Sequence, residues 1–448
     1  MKKILFVVVM LLAVSIVGKA QPQLNSARLD SLFQLLANND KAMASVCIYH
    51  DGNEVYSKSI GYSSVSDRKA NSPETRFRIG SISKSFTSVM IMQLLDEGLL
   101  KLETPLSDFF PQITNSKSIQ IRHLVTHSSG IGSFTDDPEY LNYLTQKKTR
   151  KELLDIITAQ EEVFKPGEKV SYSNSNFVLL AFIIENLTSS TYDEQLNKRI
   201  IKSLDLSRTS GGDKINPQNN EALSYKFDGK AWILESETDM SIPVGAGSVV
   251  STPKDLCQFM TALFDGKLVS DSSLNRMTEA KEKFGIGLMR FPFGNRKAYG
   301  HTGGIDGFSS VVSYFPAEKV TVAFTSNGLS MAMNDILIGV LSIYFNEKYD
   351  FPDYSKKAVV VDLELLKSYD GIYASAQIPL KLTMAVNDGV LMAQGTGQPA
   401  FPLTGISNTE FHFAPAGVVI LFDETKPGTK CPGIVLKQGG MEFKFTRE

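Results

Sequence analysis

The chain has 448 residues, of which 42% are hydrophobic and 21% are charged, and its formal net charge is −2. This composition is ordinary for a globular protein, and the length suffices to bury a large core without disulfides or structural metals. Because no basic stripe stands out from the near-neutral charge balance, a nucleic-acid partner is not expected.

Residues 1–20 are typical of a signal peptide. Two lysines precede an apolar stretch over residues 4–17, and small residues at positions 18 and 20 suit a signal peptidase. We therefore predict cleavage after Ala20 and an exported protein, periplasmic or secreted. The alternative is an uncleaved anchor, but the apolar run is short for a membrane span, and no later segment resembles one.

The chain contains three cysteines, Cys47, Cys257 and Cys431, which are too few for a disulfide framework. Cys47 lies in an apolar strand-like run and Cys257 in a predicted helix, so both are expected to be buried thiols. No Cys-x-x-Cys pattern indicates zinc, and the sequence predicts neither a metal nor a cofactor.

The predicted elements begin with a β-hairpin over residues 45–62, which has an Asp-Gly turn. Three apolar helices follow, over residues 81–100, 153–159 and 177–186. Strand signals return over residues 299–303, 308–315 and 320–326, and a helix closes this part over residues 333–345. Both ends of this region therefore contribute to one α/β layer around a mainly helical middle, which leaves a cleft between them.

The last part of the chain has a different pattern. Residues 351–356 are polar, contain a proline and resemble a linker. Residues 357–448 contain short strand-like segments separated by turns, and this spacing predicts a small all-β barrel or sandwich.

The first candidate for chemistry is Ser81, which starts a Ser-x-x-Lys motif completed by Lys84. A serine hydroxyl needs a base within hydrogen-bond reach, and on a helix residues i and i+3 share a face. Two other copies of the motif occur, at residues 66–69 and 251–254. Only the Ser81 copy follows a glycine at the start of a long apolar helix, where backbone N–H groups favour negative charge.

Two further motifs support Ser81. Tyr172 and Asn174 precede an apolar helix. A nearby lysine is expected to lower the pKa of the Tyr172 phenol and make it a general base, and the Asn174 amide suits a substrate carbonyl. A second Tyr-x-Asn, residues 140–142, lies in a polar segment and is set aside. On a predicted strand, His301 precedes Gly303 and Gly304, which are expected to let substrate approach the backbone closely.

The three motifs occur in the order Ser-x-x-Lys, Tyr-x-Asn, His-x-Gly. In this order and in its surrounding residues the chain resembles the penicillin-recognising serine hydrolases, which include class C β-lactamases, D-alanyl-D-alanine carboxypeptidases, D-aminopeptidases and related esterases. The resemblance covers about residues 25–347. The segment after it resembles the lipocalin-like barrels appended to some members.

The resemblance implies a serine β-lactamase-like α/β (α+β) fold over residues 21–350, in which helices flank an antiparallel sheet and a helical subdomain is added. It also implies the role of each site residue. Ser81 is acylated, Lys84 and Tyr172 share proton transfer, Asn174 positions the substrate, and the backbone N–H groups of Ser81 and Gly304 bind the oxyanion.

One departure from the family bears on the substrate. The third motif usually begins with lysine in β-lactamases and carboxypeptidases, whereas His301 stands here. A histidine is mostly neutral at pH 7 and attracts a carboxylate less. The sequence therefore favours esters, amides or D-amino-acid peptides over β-lactams. The alternatives are a true β-lactamase, a non-catalytic sensor or binding protein, and transfer of the acyl group to an amine.

His123 and His127 have the i, i+4 spacing of metal ligands on a helix. The stretch also matches a structural segment of the family, and we expect that structural role. The barrel is expected to act as a packing partner or to limit substrate length at the mouth of the cleft. The oligomeric state is not predicted.

Overall fold

The computed structural model describes residues 24–279 and 284–448, so the predicted signal peptide lies outside the described residues. The α-helices in chain order are α1 (Ser26–Asn38), α2 (Ser83–Asp96), α3 (Ile121–Val125), α4 (Tyr140–Tyr143), α5 (Arg150–Thr158), α6 (Asn174–Thr188), α7 (Tyr192–Leu196), α8 (Lys202–Leu204), α9 (Pro253–Phe264), α10 (Asp271–Thr278), α11 (Met333–Tyr344) and α12 (Leu363–Tyr369).

The strands divide into those before and those after residue 350. The first set is β1 (Ala42–His50), β2 (Asn53–Ile60), β3 (Tyr62–Ser64), β4 (Lys69–Ala70), β5 (Phe77–Arg78), β6 (Ser210–Gly211), β7 (Tyr225–Phe227), β8 (Trp232–Leu234), β9 (Val249–Ser251), β10 (Met289–Phe293), β11 (Arg296–Ile305), β12 (Phe308–Phe315) and β13 (Val320–Leu329). The second set is β14 (Gly371–Ala374), β15 (Lys381–Asn387), β16 (Val390–Gly395), β17 (Phe401–Pro402), β18 (Thr404–Gly405), β19 (Glu410–Phe413), β20 (Val418–Phe422), β21 (Gly433–Gln438) and β22 (Met441–Arg447).

A six-stranded antiparallel sheet in the order β10-β11-β12-β13-β1-β2 forms the main layer. The predicted hairpin is confirmed as β1 and β2, and Asp51 and Gly52 both have positive φ, as a two-residue hairpin turn of this kind requires. Strand β1 inserts beside β13, with Val46 opposite Phe324. The sheet is thus built from both ends of the region, as the sequence predicts.

Alternate residues of β1 belong to two different cores. Val46 and Ile48 pack with α1 and α11 on one face of the sheet, whereas Cys47 and Tyr49 pack with α2, α6 and α9 on the other. Because side chains alternate along a strand, a central strand covered on both faces is apolar throughout. The second core joins the sheet to the helical region and carries the candidate site.

The predicted helices correspond to α2, α5, α6 and α11, with modest shifts at their ends. A 3₁₀ turn over Gly80–Ile82 precedes α2. Helix α2 is buried nearly all round because it lies between the sheet layer and α6. One of its contacts is the stacked pair Phe86–Phe259, whose ring centroids lie 3.9 Å apart.

The nine strands after residue 370 form one antiparallel, nearly closed, barrel-shaped sheet, which confirms the predicted all-β character. Aromatic side chains fill its interior, for example Tyr369 stacked on Phe422 with ring centroids 3.9 Å apart. Tyr369 belongs to α12, which the sequence analysis did not predict. The sheet packs on α11: a Cβ at Gly417 would meet the Asp335 carboxylate at 2.3 Å. The lipocalin likeness and the domain boundaries stay predictions.

All three cysteines are free and buried, as expected for Cys47 and Cys257. Within the part of the chain that the structure describes, no helix combines the length and apolar character needed to cross a membrane.

Candidate active site

Ser81 lies in the 3₁₀ turn Gly80–Ile82, directly before α2. Gly80 has φ +49°, and a Cβ there would lie 2.8 Å from the backbone nitrogen of Gly304. Only glycine therefore permits this backbone conformation and the close approach of the Ser81 turn to β11. The turn also leaves backbone N–H groups at the start of the helix without helical partners.

Lys84 is fully buried, and its Nζ atom has three oxygen neighbours. Ser81 Oγ lies at 3.0 Å, Asn174 Oδ1 at 2.8 Å and the carbonyl oxygen of Ala246 at 2.7 Å. Burial holds the pKa of Lys84 well below its usual range because a charged amine loses its hydration there.

These neighbours decide how a neutral Lys84 amine is oriented. The Ala246 carbonyl and the Asn174 amide oxygen can only accept hydrogen bonds, whereas a serine hydroxyl can also donate. A neutral amine has two N–H groups and one lone pair. When both N–H groups bind the obligate acceptors, the lone pair faces the Ser81 hydroxyl, which is the arrangement a general base needs.

Tyr172 joins the same cluster. Its phenol lies beside the Ser81 side chain, and Lys84 Nζ lies 4.8 Å from the centroid of its ring. Burial raises the pKa of Tyr172. The expectation that Lys84 lowers this pKa is therefore wrong, because the phenol loses its hydration on burial and this loss is the largest effect on its pKa. Tyr172 is a protonated phenol at neutral pH.

Asn174 is the first residue of α6. Its Oδ1 atom accepts from Lys84, and its Nδ2 atom donates to Thr135 Oγ1 at 2.9 Å. Its backbone N–H donates to Ser133 Oγ at 3.1 Å. Both ends of the amide are thus held, and Asn174 lies at the wall of the cleft beside Ser81.

The end of β11 lies against the Ser81 turn. Ile305 and Phe308 flank a two-residue turn, so the next pair, Gly304 with Ser309, is a pair that does not exchange hydrogen bonds. Since β10 pairs with β11 only as far as Gly300, the N–H of Gly304 points to an open strand edge. This edge faces Gly80, so the N–H of Gly304 is suitably placed as an oxyanion donor.

The two glycines of this motif have different roles. A Cβ at Gly303 would lie 1.9 Å from the carbonyl oxygen of Ile79, whereas a Cβ at Gly304 would meet only the Phe308 carbonyl at 4.0 Å. The expectation that both glycines make room for substrate is therefore wrong for Gly303. The absence of a side chain there instead makes room for the Ile79 carbonyl, two residues before Ser81.

His301 is buried on β11. Its ring centroid lies 6.4 Å from that of Tyr172, and its Nδ1 atom lies 2.6 Å from the Thr302 carbonyl oxygen. Because a carbonyl only accepts, Nδ1 carries the proton. His301 is thus a buried neighbour of Tyr172. Its direct contact with substrate stays a prediction.

The two other Ser-x-x-Lys copies lie outside the cluster formed by Ser81, Lys84, Tyr172 and Asn174. Residues 66–68 form an exposed turn before Lys69, the first residue of β4, and Thr252 caps the start of α9. Tyr140, set aside above, lines the cleft. Helix α3 ends at Val125 and His127 has φ +56°, so the two histidines do not share a helix face. Over residues 24–279 and 284–448, no cluster of metal-binding side chains occurs.

The cleft above Ser81 has a volume of about 340 Å³, within the range of small-molecule sites. Its described lining consists of Ser81, Phe134, Thr135, Tyr140, Leu144, Asn174, Ser236, Thr238, Pro243, Ala246, Gly247, Gly304, Ile305 and Asp306. Phe134, Tyr140 and Leu144 are the large aromatic and aliphatic side chains among them. None of the described lining residues comes from the barrel-shaped sheet. The idea that the barrel limits substrate length therefore gains no support.

Asp306, at the turn after β11, is the charged member of this lining. It is buried and bound to Arg78 Nη1 at 3.0 Å, while the N–H and hydroxyl of Thr238 donate to its other oxygen. Arg78 leads into the Ser81 turn, so this ion pair connects the nucleophile to the oxyanion strand. Arg78 also pairs with Glu237 at 2.6 Å, so one guanidinium is shared by two carboxylates.

Four contacts of the cluster escaped the sequence analysis. Ala246 contributes only a backbone oxygen, which no side-chain pattern can indicate. Thr135 and Ser133 contribute hydroxyl groups of a common kind from a loop far away in sequence. His127 stacks on Tyr172, with ring centroids 4.4 Å apart, and its spacing from His123 suggested a different role.

Comparison with known proteins agrees with this geometry. The Beta-lactamase family model matches residues 30–339. The chain belongs to the beta-lactamase family. A penicillin-binding protein of Bacillus subtilis (strain 168) is 25% identical over 452 residues, covering 94% of this chain and 98% of that protein.

Two solved structures extend the comparison. A D-stereospecific amidohydrolase from Streptomyces sp. is 27% identical with a TM-score of 0.61, covering 72% of this chain and 98% of its own. The octameric penicillin-binding protein homologue from Pyrococcus abyssi has a TM-score of 0.66 over 94% of this chain and 99% of its own. At 22% identity it supports the fold alone. Family and geometry together make this protein a serine hydrolase.

Proposed function

We propose that this protein hydrolyses amides or short peptides of D-amino acids with apolar side chains, through an acyl-enzyme on Ser81. The observation that carries the proposal is the position of Lys84 Nζ, 3.0 Å from Ser81 Oγ and bound to two obligate acceptors. This arrangement provides a neutral base for the nucleophile.

The acylation step follows from the contacts. Lys84 accepts the proton of the Ser81 hydroxyl as Oγ bonds to the substrate carbonyl carbon. The N–H groups of Ser81 and Gly304 bind the oxyanion. When the C–N bond breaks, Tyr172 donates its phenol proton to the leaving nitrogen, and Lys84 returns its proton to the phenolate. Water then attacks the ester by the reverse sequence of proton transfers, and Asn174 holds the substrate amide.

The lining of the cleft supports a substrate that has an apolar side chain and no carboxylate. Phe134, Tyr140 and Leu144 provide an apolar wall, and within residues 24–279 and 284–448 no lysine or arginine lines it. An amide lacks the carboxylate that would need such a partner. The Streptomyces amidohydrolase and a D-amino acid amidase from Ochrobactrum anthropi SV3, 25% identical with a TM-score of 0.63, support the same choice.

Hydrolysis of a β-lactam is the second candidate, because the family is named for β-lactamase and the Bacillus relative is named a penicillin-binding protein. A β-lactam carries a carboxylate, and His301 stands where a lysine usually binds it. We propose that β-lactam turnover is slow compared with amide hydrolysis. We also propose that the protein is exported, on the pattern of residues 1–20.

A substrate panel tests the proposal. It contains the amides of D- and L-phenylalanine, a D-alanyl-D-alanine peptide, a p-nitrophenyl ester and a chromogenic β-lactam. Wild type is compared with Ser81→Ala and with Ser66→Ala, which removes the serine of an exposed Ser-x-x-Lys copy. We expect the D-amide to be preferred, Ser81→Ala to be inactive and Ser66→Ala to match wild type. Fastest turnover of the β-lactam would reject this substrate class.

A further inference from the structure

His127 contacts three consecutive residues around Tyr172. Its ring stacks on the Tyr172 ring, with centroids 4.4 Å apart and planes inclined by 28°. Its Nδ1 atom accepts the N–H of Ser173 at 3.1 Å. Its backbone carbonyl accepts the N–H of Ser171 at 2.9 Å. One residue therefore fixes the backbone on both sides of Tyr172 and the plane of its ring.

Two other backbone hydrogen bonds hold the earlier part of this segment, from Val163 to Gly130 and from Gly167 to Ser128. Residues 163–173 form no helix or strand, so no ladder of hydrogen bonds sets the position of Tyr172. His127 is well placed for the task because it lies just beyond α3, with φ +56°, a conformation that histidine and asparagine adopt more readily than most residues. Ser173 is also the residue before α6, so the same contact fixes Asn174.

The hydrogen bond to Ser173 defines the state of the imidazole. An Nδ1 atom that accepts an N–H has no proton, so the ring is neutral. Burial holds the pKa of His127 well below its usual range, which keeps the acceptor available at neutral pH.

We propose that His127 is a positioning residue that holds the Tyr172 phenol in place to protonate the leaving group. The inference rests on the proposed function, because it assigns Tyr172 that proton transfer. His127 touches no substrate and transfers no proton. In the acylation step its effect is therefore confined to substrates whose leaving group needs a proton, such as amides, and is small for an activated ester.

The test compares two variants of the full chain on two substrates. His127→Asn keeps an acceptor and tolerates the left-handed backbone but removes the ring, and His127→Gly removes both. With a D-phenylalanine amide we expect kcat to fall about 10-fold for His127→Asn and about 100-fold for His127→Gly, because small displacements of catalytic groups have effects of this size. The KM for the amide and the rate of the initial p-nitrophenol burst, which reports acylation by a p-nitrophenyl ester, change little.

Two controls separate positioning from stability. His123→Asn alters the neighbouring histidine, which does not stack on Tyr172, and is expected to keep wild-type kcat. In a Tyr172→Phe background, His127→Asn should have no further effect on amide hydrolysis. Thermal unfolding shows whether each variant is folded.

Equal losses for amide and ester, or no loss for either, would overturn the proposal. Unfolding of both His127 variants would assign the residue a structural role and overturn it as well. Failure of the proposed function is distinguishable, because wild type itself would then hydrolyse neither substrate or would do so without Ser81.

Discussion

Gly303→Ala tests whether β11 positions the nucleophile. The added Cβ would lie 1.9 Å from the Ile79 carbonyl oxygen and 2.5 Å from Ser310 Oγ, which itself donates to that carbonyl at 2.8 Å. Ordinary contact begins at 3.4 Å, so the Ile79 carbonyl must move by about 1.5 Å in a packed interior. Ser81 lies two residues further along the same backbone.

A displacement of about 1 Å at a reacting group lowers the rate about 100-fold, and overpacking of this kind lowers the free energy of unfolding by about 1–3 kcal/mol. The assay is the second-order rate of Ser81 labelling by a fluorophosphonate, with thermal unfolding measured in parallel. The temperature is kept well below the transition, so that the rate reports geometry and not the unfolded fraction.

Gly304→Ala is the matched control. Its Cβ would meet only the Phe308 carbonyl, at 4.0 Å, and the substitution keeps the N–H group. We expect the free energy of unfolding to change by no more than about 0.5 kcal/mol, so that any slower labelling comes from the added Cβ in the cleft. Equal destabilisation by the two variants would refute the account of the close approach between β11 and the Ser81 turn.

Three further predictions concern charged groups. Lys84→Met removes the base and should lower the rate of Ser81 acylation by about 10²–10⁴-fold, measured with a p-nitrophenyl ester; an unchanged rate would exclude Lys84. Since burial lowers the pKa of Lys84, its amine is neutral at lower pH than an exposed lysine. The value of kcat/KM should fall as pH decreases through this lowered pKa, and a limb centred near the ordinary value of about 10.4 would contradict it. Asp306→Ala removes one of the two carboxylates that bind buried Arg78, while Glu237 stays in place, and should cost about 1–3 kcal/mol in chemical denaturation, whereas Lys151→Ala, which breaks an exposed pair, should leave stability almost unchanged.

Local motifs made much of the candidate site predictable. Ser81 and Lys84 are one helical turn apart, so their contact follows from sequence spacing. Tyr172 and Asn174 flank a helix start, and the structure brings both to Lys84. The sheet was predictable for a similar reason: β1 and β12 have the apolar patterns of strands covered on both faces.

Other features depend on tertiary structure. The contact of Ala246 is made by its backbone carbonyl, which no pattern of side chains can indicate. Glycine is required at position 303 because a Cβ would clash with the Ile79 carbonyl, more than two hundred residues away in the sequence. The direction of the Tyr172 pKa shift was wrong because it depends on how much water folding removes. Helix α12 is short, and its apolar residues are buried only by the barrel-shaped sheet that follows.

The most direct test of the central claim is mass spectrometry of the acyl-enzyme. The protein is mixed with a D-phenylalanine p-nitrophenyl ester, quenched in acid within the first turnovers and digested for peptide mapping. The account predicts a phenylalanyl adduct on Ser81 in wild type and none in Ser81→Ala. Turnover of the ester with an adduct on a different residue, or with an undiminished rate in Ser81→Ala, would contradict it.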